Sequence, residues 1–142
     1  MSDKWEIWKA QLRSIIQAHY RLSVMNNAKW EEVKEVLRTL QLVYRVKLVT
    51  GPDISQWSIA GLYEPANFID FHGPVHVLEI EWLEANPHHH VPRPYVGPDR
   101  YIDYSAEVEQ QFRQLGVPFS IEHGMYRIWG HIPHNVYPNF AE

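Results

Sequence analysis

The sequence contains no cysteine among its 142 residues. Disulfide scaffolds, iron–sulfur clusters, thiol catalysts and cysteine zinc sites are therefore excluded. No apolar run approaches the roughly 20 residues of a membrane-spanning helix, and the charged N-terminal segment lacks the apolar core of a signal peptide. We therefore expect a cytoplasmic protein with no membrane partner.

Sequence motifs of catalysis and cofactor binding are also lacking. The chain carries no glycine-rich phosphate loop, no dinucleotide-binding fingerprint and no Gly-x-Ser-x-Gly nucleophile turn. We therefore expect no cofactor and assign no catalytic residue.

Lysine and arginine are missing from one long stretch, between Gly51 and Pro92. A nucleic-acid-binding segment would be basic and laced with aromatics, so we expect no nucleic-acid partner. The acids of the stretch are either solvated surface or a patch that meets a basic partner. They are Asp53, Glu64, Asp70, Glu79, Glu81 and Glu84.

The order of predicted elements indicates the fold class. Apolar periodicity predicts helices over residues 3–22, 28–40 and 105–115. Strands are predicted over residues 42–49, 75–84, 118–122 and 125–132, with short ones around 56–62 and 100–104. This order predicts a single α+β domain over residues 1–132, followed by a loose tail over 133–142. We expect a mainly antiparallel sheet of about four to six strands with two to three helices packed on one face.

The strand predicted over residues 75–84 has the clearest alternation. Ile80 and Trp82 are expected to face the core, whereas Glu79 and Glu81 are expected to face solvent opposite the cations of the first predicted strand. The proline-rich connector that follows, residues 86–99, is expected to be extended chain on the surface.

Four short segments, taken in order, resemble a widespread bacterial family of small cytosolic proteins of unknown function. Its members carry an Asn-Asn/Asp-x-Lys-Trp helix start, an Ile-Glu-Trp strand, and a helix that ends in Ile/Val-Pro before a terminal hairpin. The resemblance covers about residues 15–132 and implies no established chemistry. The matching segments run from Met25 to Trp30, Ile80 to Leu83, Gly116 to Phe119 and Tyr126 to Gly130.

The acidic stretch between Gly51 and Pro92 favours a non-enzymatic binding protein. Small size, the missing cofactor motifs and the acidic stretch suggest a bacterial immunity protein that neutralises a basic toxin, because an acidic patch steers the encounter with a basic partner. The predicted partner-binding residues are the acids Asp53, Glu64, Asp70, Glu79, Glu81 and Glu84, with Trp57, Tyr63 and Phe68 as aromatic anchors.

Histidine-rich segments leave a second hypothesis open, a metal-dependent hydrolase. His88 and His90 of the three consecutive histidines are weak candidate metal ligands, because alternate residues of extended chain share a side. His72 and His76, with Asp70, form a candidate acid–base group, although a buried structural histidine is the simpler interpretation. A homo-oligomeric housekeeping module is the third alternative.

Overall fold

The structure is a computed structural model that describes residues 3–50, 57–59, 65–71, 74–91 and 100–141. In the described residues, the helices are α1 (Asp3–His19), α2 (Asn27–Thr39) and α3 (Ser105–Leu115). The described strands are β1 (Tyr20–Ser23), β2 (Val43–Leu48), β3 (Ser58–Ile59), β4 (Phe68–Asp70), β5 (Pro74–His76), β6 (Ile80–Asn86), β7 (His88–Val91), β8 (Arg100–Asp103), β9 (Phe119–Glu122), β10 (Met125–Trp129) and β11 (His131–Pro133).

Five antiparallel strands form the main sheet, in the order β3-β2-β6-β10-β9. The other described strands form three two-stranded ribbons, β1–β11, β4–β5 and β7–β8. The core lies between the sheet and the apolar sides of α2 and α3, and it includes Tyr44, Val46, Leu83 and Ile128. The α+β fold and the antiparallel sheet are as predicted.

Two of the helices begin and end within one residue of the predicted bounds. Asn26 caps α2, because its Oδ1 accepts the backbone N–H of Lys29 at 2.8 Å. Gly116 ends α3 in the left-handed region with a φ of 68°, which glycine adopts without steric cost. No helix in the described part of the chain is long and apolar enough to cross a membrane.

The first helix is shorter than the predicted 3–22. It ends at His19, and the next four residues form β1, which pairs with β11. The N–H of Val24 continues this pairing by donating to the carbonyl oxygen of Gly130 at 3.0 Å. The helical periodicity of the segment was misleading because hydrogen bonds to a strand near the other end of the chain replace the last helical turn.

The strand predicted over residues 75–84 is interrupted. A single 3-10 turn, Val77–Glu79, separates β5 from β6. The turn and a bulge in β6 change the alternation, so that Leu83 is buried in the core and Trp82 lies on the opposite face of the sheet. The expectation that Trp82 faces the core is therefore wrong.

Two further segments make backbone contacts that the sequence did not predict. Within the proline-rich connector, His88–Val91 is a strand, β7, paired with β8. Pro87 precedes this strand, and the other prolines of the segment lie in residues 92–99, outside the described residues. The predicted loose tail is held to the domain, because the N–H of Ala141 donates to the carbonyl oxygen of Phe119 at 2.9 Å.

Candidate functional site

A row of alternating charges crosses the main sheet on the face opposite α2 and α3. The strand register places Arg45 of β2 opposite Glu84 of β6, and Glu84 opposite Arg127 of β10. Residues directly opposite in neighbouring strands point to the same face. The row therefore reads cation, anion, cation, and Ser120 of β9 continues it.

Glu84 is held between the two guanidinium groups. Its Oε1 accepts the Nε–H of Arg45 at 2.7 Å, and its Oε2 accepts Nε and Nη2 of Arg127 at 2.9 and 2.6 Å. The Glu84 side chain is only 1% exposed, whereas those of Arg45 and Arg127 are 30% and 21% exposed. These charge-assisted bonds fix both arginines in one orientation, and each arginine side chain remains partly exposed.

A second row, two residues along the same strands, carries Lys47, Trp82 and Trp129. The guanidinium of Arg127 lies 4.3 Å from the ring centroid of Trp82 and 5.3 Å from that of Trp129. Arg45 lies over Trp57, which precedes β3, at 4.8 Å. Cations at these distances are attracted to the electron-rich ring faces. We call these seven side chains the arginine–tryptophan face: Arg45, Lys47, Trp57, Trp82, Glu84, Arg127 and Trp129.

Glu81 occupies the bulge at the border of this face. Its Oε1 accepts hydrogen bonds from the Tyr20 hydroxyl at 2.5 Å and from Nζ of Lys47 at 3.1 Å. Burial, and then the bond to this carboxylate, raise the pKa of Tyr20 far above its ordinary value of 10.0. Tyr20 therefore stays a neutral donor that ties β1 to the sheet.

The predicted acidic patch loses two of its members. Glu81 and Glu84 are buried and bonded to cations of the same chain, so they are not solvent-facing charges. The expected pairing of an acid with Lys47 is present, since Nζ of Lys47 lies 3.1 Å from Oε1 of Glu81, although the register places Trp82 directly opposite Lys47. Arg45, in contrast, pairs with Glu84.

The structure describes two of the four remaining predicted acids. Asp70 is exposed at the end of β4, and Glu79 is half-buried in the 3-10 turn. Burial raises the pKa of Glu79, although a backbone N–H bond from His76 opposes the shift. Asp53, Glu64 and the anchor Tyr63 lie outside the described residues. That these residues bind a partner stays a prediction.

The two predicted aromatic anchors that the structure describes, Trp57 and Phe68, lie in different parts of the molecule. Trp57 is half-buried under Arg45 and is part of the arginine–tryptophan face. Phe68 instead packs edge-on against His76, with ring centroids 5.0 Å apart. Trp5 and Trp8 of α1 contact the same imidazole, with centroids at 5.2 and 5.7 Å. His76 therefore lies in an aromatic cluster.

In the described residues, the histidines of the predicted acid–base group and metal site are not joined by further side chains that could complete such a site. His76 is buried, and its Nδ1 accepts the backbone N–H of Leu78 at 3.1 Å. Burial and the positive charge of Lys9 lower the pKa of His76. These contacts fit the structural interpretation. His72, the other histidine of the candidate acid–base group, lies outside the described part of the chain.

The run of three histidines lies at the start of β7. His88 is exposed, with Nδ1 3.7 Å from Oδ1 of Asp103, and the backbone of His90 pairs with that of Tyr101. Over residues 3–50, 57–59, 65–71, 74–91 and 100–141, no three side chains of metal-ligating type come together.

Sequence reasoning missed the arginines of the arginine–tryptophan face. The sequence does show these arginines in an alternating pattern: Arg45 lies between Tyr44 and Val46, and Arg127 lies between two apolar residues of β10. The alternation places these arginines on the non-core face. It does not reveal that one buried carboxylate joins them, since that depends on the register of three strands.

The comparisons with known proteins give one family. The chain matches the model of a family of unknown function, DUF6678, over residues 12–135. No curated protein and no solved structure matches it. The match leaves Trp5 and Trp8, in the first half of α1, outside the family region, as the resemblance implied. The bacterial origin of the family stays a prediction. The chain therefore belongs to DUF6678, whose function is unknown.

Proposed function

We propose that this chain is a non-enzymatic binding protein of the immunity type, which acts in the cytoplasm and neutralises a toxin protein. The contact is made by the arginine–tryptophan face. The observation that carries the proposal is the row Arg45–Glu84–Arg127, flanked by tryptophans. Tryptophan and arginine are the side chains most enriched among residues that dominate binding energy at protein interfaces.

The arrangement is organised before a partner arrives. Arginine side chains normally lose rotamer freedom on binding, at a cost of about 0.5–1.5 kcal/mol each. Here Glu84 and the indole rings already hold Arg45 and Arg127 in place. A partner that contacts the two guanidinium groups therefore binds with a smaller loss of side-chain entropy.

The face is also accessible at the places where a partner would contact it. Arg45, Arg127, Trp57 and Trp82 are half-buried, so their outer parts face solvent while their inner parts pack against the sheet. Glu84 lies beneath them and is buried. Covering such a surface desolvates the guanidinium groups and strengthens their hydrogen bonds to a partner.

A second candidate keeps the basic toxin inferred from the sequence. Asp70 is exposed, and the stretch from Gly51 to Pro92 has no lysine or arginine. In this case the acids outside the sheet contact the toxin, and the net charge of −4 assists the encounter. The two candidates assign the contact to different residues of the same chain.

Capture on immobilised protein, from a lysate of the source cells, separates the candidates. The baits are the wild type, the double variant Arg45→Lys/Arg127→Lys, Asp70→Asn, and Arg13→Lys as a control on the exposed side of α1. Lysine keeps the charge beside Glu84 but lacks the planar fork of donors. We expect one protein that the double variant fails to retain and that the other three baits retain.

Growth assays test the immunity role of the captured protein. Its expression alone should stop growth, co-expression of the wild type should restore growth, and co-expression of the double variant should not. Retention by the double variant together with loss by Asp70→Asn would favour the basic-toxin candidate. A captured protein with no effect on growth would remove the immunity role, and light scattering that shows only a self-associated chain would favour the homo-oligomeric alternative.

A further inference from the structure

We infer that the group recognised by the arginine–tryptophan face is a carboxylate on the surface of the partner protein. This inference rests on the proposed function and names the chemistry of its partner. It commits the partner to an acidic contact surface, in contrast with the basic toxin inferred from the sequence.

The first argument is the direction of the unused donors. Arg45 donates to Glu84 through Nε, and Arg127 through Nε and Nη2. Within the described part of the chain, no acceptor is bonded to either Nη atom of Arg45 or to Nη1 of Arg127. Both side chains are partly exposed, and these N–H groups are the donors that Glu84 leaves for a partner.

The second argument is shape. A guanidinium presents its N–H groups in a planar fork that matches the two oxygens of a carboxylate. Glu84 already occupies the inner side of both arginines. A second carboxylate on the outer side would complete the row with alternating charges.

The third argument concerns the tryptophans. A single-stranded nucleic acid would need free aromatic faces on which its bases stack. Arg127 lies over the rings of Trp82 and Trp129, and Arg45 lies over Trp57. The guanidinium groups of the chain itself thus take up a face of each ring, which favours a protein carboxylate over a nucleic acid.

The test is an NMR titration of the ¹⁵N-labelled protein, read at the Nε–H signals of the two arginines and the indole N–H of Trp82. The probes are a hexaglutamate peptide, a hexaglutamine peptide and a thymidylate oligonucleotide of six residues. We expect hexaglutamate to give saturable shifts and hexaglutamine to give none. The affinity for hexaglutamate should fall about tenfold or more in Arg45→Lys/Arg127→Lys and stay unchanged in Arg13→Lys.

Folding of the variants is checked by circular dichroism, and the single variant Arg45→Lys serves if the double variant does not fold. Equal shifts with hexaglutamine, tighter binding of the oligonucleotide, or unchanged affinity in the arginine variants would each overturn the inference. If hexaglutamate binds but no partner is captured through the face, the proposed function fails and the carboxylate site stands. If a partner is captured through the face and hexaglutamate does not bind, only this inference fails.

Discussion

Lys34 reaches from α2 to the backbone of β4, where its Nζ donates to the carbonyl oxygen of Phe68 at 2.6 Å. The same ammonium donates to the carbonyl oxygen of Pro65 at 3.2 Å and lies 2.8 Å from Oε2 of Glu31. The Lys34 side chain is 1% exposed. A buried lysine thus fixes the segment that leads into the β4–β5 ribbon.

Replacement of this lysine should destabilise the protein strongly. Lys34→Met removes a hydrogen bond from the carbonyl oxygens of Phe68 and Pro65, of which the latter keeps the N–H of Phe68, and it removes the cation beside Glu31. We expect these losses to cost about 2–4 kcal/mol of unfolding free energy. Urea denaturation measures the loss. Lys4→Met on the exposed side of α1 is the control and should change stability by less than about 0.5 kcal/mol. Equal effects of the two variants would contradict the role of the buried ammonium.

Glu84→Gln should also lower stability, because it leaves two guanidinium groups facing each other without the charge between them. The arginines are partly solvated, so we expect a loss of about 1–3 kcal/mol, less than for a fully buried pair. The measurement is urea unfolding. Glu35→Gln is the matched control, because the Glu35 side chain is 71% exposed and lies 3.8 Å from Arg38, and it should cost only a few tenths of a kcal/mol. A loss at Glu84 no greater than that at Glu35 would show that the row is not a stabilising unit.

Gly130 lies where β10 passes into β11, close to the backbone of β6. A Cβ at this position would lie 2.2 Å from the carbonyl oxygen of Ile80, which is backbone and has little freedom to move. Gly130→Ala should therefore cost about 1–3 kcal/mol or more. Gly124→Ala is the comparison: its φ is 80° but no atom lies within 4 Å of the added Cβ, so its cost is conformational, about 1–2 kcal/mol. A thermal melt that ranks Gly124→Ala below Gly130→Ala in stability would contradict the steric argument.

His131 should make stability depend on pH. Burial lowers the pKa of His131 below its ordinary value of 6.5, although its bond to the carbonyl oxygen of Leu78 and the charge of Glu81 act in the opposite direction. The unfolded chain then binds a proton that the folded chain does not. Above pH 6.5, His131 is uncharged in both the folded and the unfolded chain and does not change the unfolding free energy. As the pH drops through 6.5 toward the lowered pKa, protonation of the unfolded chain lowers the stability of the protein.

Urea unfolding at pH 7.5 and 5.5 measures this effect. The loss between the two values should be smaller in His131→Gln than in the wild type, because glutamine does not titrate. His123→Asn, in the exposed turn between β9 and β10, is the control for replacing a histidine elsewhere in the chain, and the loss in His131→Gln is compared with the loss in this variant. An undiminished loss in His131→Gln would assign the pH dependence to other groups.

Much of the fold could be predicted from local patterns. The apolar stripe of α2, its Asn26 cap and the Gly116 stop of α3 each depend on neighbours within a few residues, and the structure has all three. The alternation of apolar and charged residues in β2 also indicates which of its residues face the core, because a single strand without a bulge keeps a period of two.

The candidate site could not be predicted in the same way. The acids of β6 were expected in solvent because the prediction used only the alternation within that strand and not its neighbours. Arg45 and Arg127 are 82 positions apart in the sequence, and only the register of β2 and β10 on either side of β6 brings both to Glu84. A bulge that depends on pairing with β2 turned Trp82 to the same face.

The sequence by itself therefore determined the α+β class, the second and third helices, and the alternation that separates core from non-core positions. Each of these follows from interactions within one element. Tertiary structure decided that β1 pairs with β11, and that Glu84 is a buried link between two arginines. Those features depend on hydrogen bonds between strands far apart in the chain, and the energy of such a pairing belongs to neither segment alone.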